Sequence, residues 1–344
     1  MPKKKHIVRS LRIIMPIVAI ISIIVFPPWD IVWAWITPLP DTVQEQVDDS
    51  IGLGFDGIIV YVDRKGKAPE YYAAGWKNRE RGIPADPKAL FKIASISKLY
   101  VAVAVTKLVN DERLALDKTL AENFPELAGR IENADKITLK MMVQHRSGIP
   151  NLTDSPKYWE NPPKSSKEAL ELVLGLPANF EPGEDYEYSN TNYLLISEII
   201  KKAVGYSHHK YIKEEILIPN ELNNTFSSIR DVDMDDVMSG YYVGVEKDIK
   251  TEDYGSMVAT AEDVGKFLRA LNDGSLFDEG EKEIYSSIYV YEHTGLIPGY
   301  QSIAKYHKDI DTVVVQFVNT TNFSGNTWTI SEVVYGRIVQ ILRR

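Results

Sequence analysis

Ser95-Ile96-Ser97-Lys98 places a hydroxyl three positions before an amine. Residues three apart on a helix share a face, so that amine can reach that hydroxyl. A serine hydroxyl is a weak nucleophile until a neighbouring base takes its proton, and a partly desolvated lysine is such a base. The start of a helix also favours the negative charge that develops there. Spacing alone is not selective, because the pattern recurs at Ser207–Lys210 and Ser302–Lys305. Context separates the three. Ser95 opens a long run that is apolar on nearly every face, whereas Ser207 lies in a polar stretch and Ser302 in a strand pattern.

Tyr188-Ser189-Asn190 is the one Tyr-x-Asn among nineteen tyrosines. A phenol beside an ammonium can be held as phenolate or can relay a proton to a leaving group. Asn190 offers an amide to a substrate carbonyl. The plain alternative is a capped helix start, since Ser189 and Asn190 are both good N-caps. His293-Thr294-Gly295 sits at the end of a strand pattern. A glycine there lets backbone approach a substrate, and a free edge strand can pair with a peptide-like ligand. Its plain alternative is a strand running into a turn.

The elements that must position these groups follow from the apolar patterning. Asp41–Ser50 reads as an amphipathic helix, Gly57–Val62 and Tyr71–Trp76 as two strands joined by a turn, and 95–110 as a helix for the centre of a large domain. Helical patterns broken by Pro- and Gly-rich loops run from Asp117 to Gly274. Strand-like runs follow at 287–292, 301–306 and 312–318, then a closing helix at 329–342. The order predicts an α/β (α+β) domain, with an antiparallel sheet built from both chain ends and a helical region inserted between them.

At 344 residues, 44% apolar and 25% charged, the chain is globular in composition. Residues 1–40 carry five Lys or Arg and one Asp, which leaves 34 basic against 47 acidic residues, a net −13, for the rest. So acidic a body argues against nucleic acid as a partner. There is no cysteine, which removes disulfides, thiolate metal sites and thiol nucleophiles together. Lys3, Lys4, Lys5, Arg9 and Arg12 precede an apolar run from Ile13 to Phe26, about 21 Å of helix against a hydrocarbon core of about 30 Å. Trp29, Trp33 and Trp35 then suit a membrane-interface belt. Residues 13–36 are read as an uncleaved signal anchor, with a cleaved signal as the alternative. Residues 1–40 are thus an anchor and linker on a single-pass cell-membrane protein. The body, 41–344, lies on the extracytoplasmic side, because basic residues stay in the cytoplasm.

Together the three motifs, in this order, resemble the β-lactamase-related serine hydrolases, the family of class C β-lactamases, D-alanyl-D-alanine carboxypeptidases and related esterases. Phe91–Lys98, Met142–Pro150, Tyr186–Tyr193, Ser256–Asp263 and His293–Gly299 are similar to the family's usual wording, and the likeness covers roughly 45–342. The resemblance implies a β-lactamase/transpeptidase-like fold and a Ser95 that attacks an acyl carbonyl to form an acyl-enzyme. Lys98 and Tyr188 would share proton transfer, with the base of each step left open. It implies an oxyanion hole from the backbone N–H groups of Ser95 and Leu296, a pocket lined by Asn190, His293, Thr294 and Gly295, and no metal or other cofactor. Ser97 reads as a packing residue, His145 as structural, and His208 and His209 as part of a surface helix. His293 stands where the stricter antibiotic-hydrolysing members carry lysine, which points to a peptide, amide or ester substrate of carboxypeptidase or esterase type. A β-lactamase and a non-catalytic penicillin-binding ligand sensor are the alternatives.

Overall fold

Two strands from opposite ends of the chain pair in antiparallel fashion, Gly57–Arg64 (β1) with Thr312–Val318 (β6), so that Ile58 faces Val318, Val60 faces Gln316 and Val62 faces Val314. Both strands are almost wholly buried. Strands buried on both faces read as continuous apolar runs, which is how Ile58–Val62 and Val313–Val315 read. Glu70–Asn78 (β2), Ile83–Pro84 (β3), His293–Ile297 (β4) and Tyr300–His307 (β5) complete a six-stranded sheet in the order β3-β2-β1-β6-β5-β4. The computed structural model describes residues 2–156 and 158–344; the side chains of 2–10 and Ile13 lie outside the description, including those of Lys3, Lys4, Lys5 and Arg9, on which the topology reading rests.

The main helices are Pro2–Val25 (α1), Trp29–Ile36 (α2), Val43–Ile51 (α3), Ser97–Asn110 (α4), Asn190–Val204 (α5), His208–Ile212 (α6), Ala261–Asp273 (α7), Glu281–Ile288 (α8) and Thr327–Leu342 (α9). Side chains alternate across a strand, and the two resulting faces feed two cores. Ile58, Val60 and Val62 pack with Val47 of α3 and Val334 and Ile338 of α9. Ile59, Tyr61 and Phe317 face the larger core around α4 and α7. On the first face Gln316 is buried and donates its amide to Ser331 Oγ and backbone oxygen of α9, at 2.9 and 3.0 Å. Helix α3 begins with the capping box its sequence offers, Thr42 and Glu45 bonding each other's backbone.

Two expectations need correction. The run 287–292 is not a strand: α8 continues to Ile288 and β4 starts only at His293, so the His-Thr-Gly triplet opens a strand instead of ending one. Tyr285 and Ile288 bury one side of α8 at helical spacing, and this wins over the β-branched local composition. The region 117–274 holds two long helices, α5 and α7, and is otherwise mostly loop with short helical turns such as Leu139–Val143 and Ser166–Glu171. At the N-terminus, no single helix among the described residues is long and apolar enough to cross a membrane. Ile14–Val25 and Trp29–Ile36 have the length and composition together, but they meet at 75°.

Candidate active site

Ser95 lies in a 3₁₀ turn, Ala94–Ile96, immediately before α4. Ala94 holds φ +50°, a left-handed conformation that costs an alanine energy. Its N–H donates to Ser256 Oγ at 2.8 Å and its carbonyl accepts from Ser97 Oγ at 2.6 Å, so two side chains hold the turn. Ser97 thus shapes the nucleophile turn as well as packing the helix. Strand β4 lies against this turn. A Cβ on Gly295 would stand 2.5 Å from the Ile93 carbonyl and 2.9 Å from Ala94 Cβ. The glycine therefore lets the Ser95 turn pack against the strand, a reason for it that its position in sequence did not suggest.

The other members converge on the hydroxyl. Lys98 Nζ is 3.3 Å and Tyr188 Oη 2.7 Å from Ser95 Oγ. Lys98 is 8% exposed. Its amine donates to Asn190 Oδ1 at 2.8 Å and lies over the rings of Tyr188 and Tyr193, 5.0 and 5.3 Å from their centroids. Among the described residues no carboxylate pairs with it. Asn190, the first residue of α5, is not free to hold a substrate carbonyl as expected. Its oxygen faces Lys98, and its nitrogen donates to Asn151 Oδ1 and Thr153 Oγ1, each at 3.2 Å. Ser189 makes no cap bond to the helix; its hydroxyl donates to the Pro150 carbonyl. The sequence motif is therefore a site element and not a helix cap.

His293 and Thr294 line the same cleft, about 650 Å³, with the partly exposed Leu296. A carbonyl only accepts, so His293 Nδ1 donates to the Thr294 oxygen and Nε2 accepts from Tyr289 Oη at 3.0 Å. Burial pushes the His293 imidazole down to about 4, with the Lys98 ammonium adding to the effect. At neutral pH it is uncharged. Lys98 is the one lysine or arginine among the described residues lining the cleft.

Several contributors were not singled out by the sequence. Asn151 and Thr153 follow the Met142–Pro150 segment and fix the Asn190 amide. His145, buried with φ +57°, stacks on Tyr188 at 4.4 Å and accepts the Ser189 N–H on Nδ1 at 3.1 Å. Burial first, then Lys98, depresses its pKa to about 3. His208 and His209 are not on an outer surface as expected. Both rings are half-buried and line the far end of the cleft, because α6 turns its first residues inward beside Ile212. Burial pushes His208 to about 3. A second chamber of about 550 Å³ adjoins the cleft and shares Tyr158, Trp159 and Tyr254 with it, with Tyr242 and Phe323 as further aromatic walls. Among the described residues no three His, Asp or Glu are grouped to hold a metal ion.

Comparison with known proteins agrees with this architecture. The Beta-lactamase family model matches residues 40–287, which includes Ser95, Lys98, Tyr188 and Asn190 and stops short of β4. Protein flp of Staphylococcus aureus (strain N315) is 27% identical over 195 residues, covering 55% of this chain and 39% of that protein. N-acetylmuramyl-L-alanine amidase of Bacillus subtilis is 26% identical over 202 residues, covering 53% and 45%. The chain spans less than half the length of these curated relatives. Among solved structures, D-amino acid amidase from Ochrobactrum anthropi SV3, complexed with L-phenylalanine amide, superposes with a TM-score of 0.76 at 21% identity, covering 88% of this chain and 97% of that one. A penicillin binding protein from Bacillus halodurans gives 0.71 at 20% identity, covering 82% and 96%. These likenesses establish the fold.

The depressed histidine has a consequence for stability. Unfolded, His145 takes up a proton as pH falls through about 6.5; folded, it stays neutral down to about 3. Stability present above pH 6.5 is therefore lost as pH falls towards 3. Between pH 7.5 and 5.0 this one residue should cost about 2 kcal/mol. Urea unfolding of wild type and His145→Gln at both pH values checks it: the loss between them should shrink by about that amount in the variant.

Proposed function

The chain belongs to the beta-lactamase family, and we propose that it is a serine hydrolase acting through an acyl-enzyme on amide, peptide or ester substrates. One observation supports the reading above the others: a single hydroxyl, Ser95 Oγ, lies within hydrogen-bond reach of both a buried amine and a phenol. Ser95 Oγ attacks the acyl carbon, and its proton passes to whichever of Lys98 and Tyr188 acts as the general base. The tetrahedral oxyanion is met by the N–H groups of Ser95 and Leu296, a kind of contact worth about 3 kcal/mol per donor. The carbon–leaving-group bond breaks as the leaving nitrogen or oxygen takes the proton back. Water then attacks the ester in the same geometry and returns Ser95.

Within this class we favour an amidase or esterase over a carboxypeptidase. With His293 neutral and both its nitrogens engaged, β4 itself offers no cationic side chain to a carboxylate on the leaving group. Amides of aromatic amino acids are the first substrates to try. The structurally similar amidase was complexed with L-phenylalanine amide, and here an aromatic chamber adjoins the cleft. Residues 41–344 form the catalytic body in this reading. The N-terminal segment anchors it to the cell membrane with the body on the extracytoplasmic side.

Intact-mass analysis after fluorophosphonate treatment tests the nucleophile. Wild type should gain one adduct and Ser95→Ala none, with turnover falling roughly 10⁴- to 10⁶-fold. Lys98→Ala should lose acylation while keeping reversible binding, and Tyr188→Phe should keep binding but slow turnover. Ser207→Ala and Ser302→Ala should label like wild type. An adduct at the wild-type rate on Ser95→Ala would overturn the proposal. Specificity is tested separately. His293→Lys should raise kcat/KM for a carboxylate-terminated peptide over its amide by about tenfold. An unchanged ratio would remove His293 from leaving-group selection.

A further inference from the structure

The anchor reading treats residues 13–36 as one membrane segment, but α2 has two unlike faces. Its inner face is fastened to the body. Ala34 is buried, Ile31 packs into the core that α9 shares with the sheet, and Asp30 accepts from Asn326 Nδ2 at 3.0 and 3.1 Å. Just beyond the helix, the buried Arg337 of α9 donates to the carbonyls of Thr37 and Pro38 at 2.8 and 2.9 Å and to Gln46 Oε1. Its outer face is bare: Trp33, Trp35 and Ile36 are 58–67% exposed.

We propose that α2 is an interfacial helix that lies flat in the headgroup–acyl boundary of a lipid bilayer, clamped to the catalytic body by α9. The inference rests on the anchor reading and changes its geometry. For α2 to serve as the second half of a span, the 75° bend would have to open. Asp30 would enter hydrocarbon, and the Arg337 guanidinium would lose two of its buried acceptors. Lying flat costs none of this. Indoles favour the interface, and a one-faced apolar helix beside an apolar segment suits it. The exposed run Ile14–Phe26 enters the bilayer next to it, which ties the outer face to lipid rather than to a soluble partner. Asn326, which holds Asp30, lies between Phe323 of the preceding loop and Trp328 of α9, which line one chamber each, so the membrane face lies one loop from the cleft.

The absence of cysteine makes the test clean. Single replacements Trp33→Cys and Trp35→Cys, with Lys67→Cys in the β1–β2 turn as reference, are spin-labelled in the full chain and mixed with phosphatidylcholine vesicles. All three positions are exposed, so the fold is not at risk. The expected result is co-sedimentation, with labels 33 and 35 at the headgroup–acyl depth and label 67 in water. In Arg337→Gln, labels 33 and 35 should gain mobility while Ser95 still acylates. Labels near the bilayer centre would show a span and overturn the inference. Co-sedimentation with labels 33 and 35 as water-accessible as label 67 would overturn it and leave the anchor standing. No co-sedimentation would remove both, and Ser95 labelling reports the hydrolase reading independently.

Discussion

An amine enclosed in the protein with no carboxylate beside it is the constraint around which this site is built. Lys98 has 8% of its surface exposed, and what meets it is an amide oxygen, two aromatic faces and the Ser95 hydroxyl. Each ligand demands its own support. Asn190 must present oxygen and not nitrogen, so Asn151 and Thr153 occupy its NH₂ group. Tyr188 must keep its ring under the amine, so His145 stacks behind it. The enclosure itself comes from α4, buried from Lys98 to Thr106, which only the centre of a large domain can surround.

Closing the site from the other side requires residues about two hundred positions away. The sheet achieves this by pairing β1 with β6, which carries β5 and then β4 to the edge beside the nucleophile turn. Edge strands usually expose an unpaired backbone row, and here the edge strand packs against the Ser95 turn. The approach is close enough that only glycine fits at 295, and the strained Ala94 is tied down by Ser256 at the same place. Strain, small residue and free edge coincide at one turn. That coincidence is what a preorganised reacting centre needs.

Much of this was legible in the residues. Apolar runs announced β1, β6 and α4 because strands and helices buried on all sides leave no room for polar interruption. That Ser95, Lys98 and Tyr188 would meet was legible from their spacing and context. What stayed hidden depended on tertiary partners. Asn190 looked like a donor to substrate, but its orientation is decided by Asn151 and Thr153, whose loop sequence carries no periodic signal. Gly295 looked like a substrate approach; the distance to the Ile93 carbonyl gave it another reason. The 287–292 run looked like a strand because Ile288, Tyr289 and Tyr291 favour sheets, and only the burial of one helical face overrides them. His208 and His209 sit in a polar stretch, yet a five-residue helix points them inward, and so short an element shows no face in sequence.

The histidines give the cleft its electrical character. His145, His208 and His293 are all driven neutral by burial, and for His145 and His293 the Lys98 ammonium adds to that effect. His208 and His293 line the cleft while His145 stacks on Tyr188, and with these rings neutral Lys98 is the one lysine or arginine among the described residues lining it. Recognition in the rest of the cleft is then left to hydrogen bonds and ring faces, consistent with the aromatic walls of both chambers. The same arrangement sets its own acid limit. Once pH falls far enough to protonate His293 or His145, new positive charge appears beside Lys98 in a low-dielectric setting, where repulsion is strongest. The rings that support Tyr188 and β4 are then the ones that destabilise them.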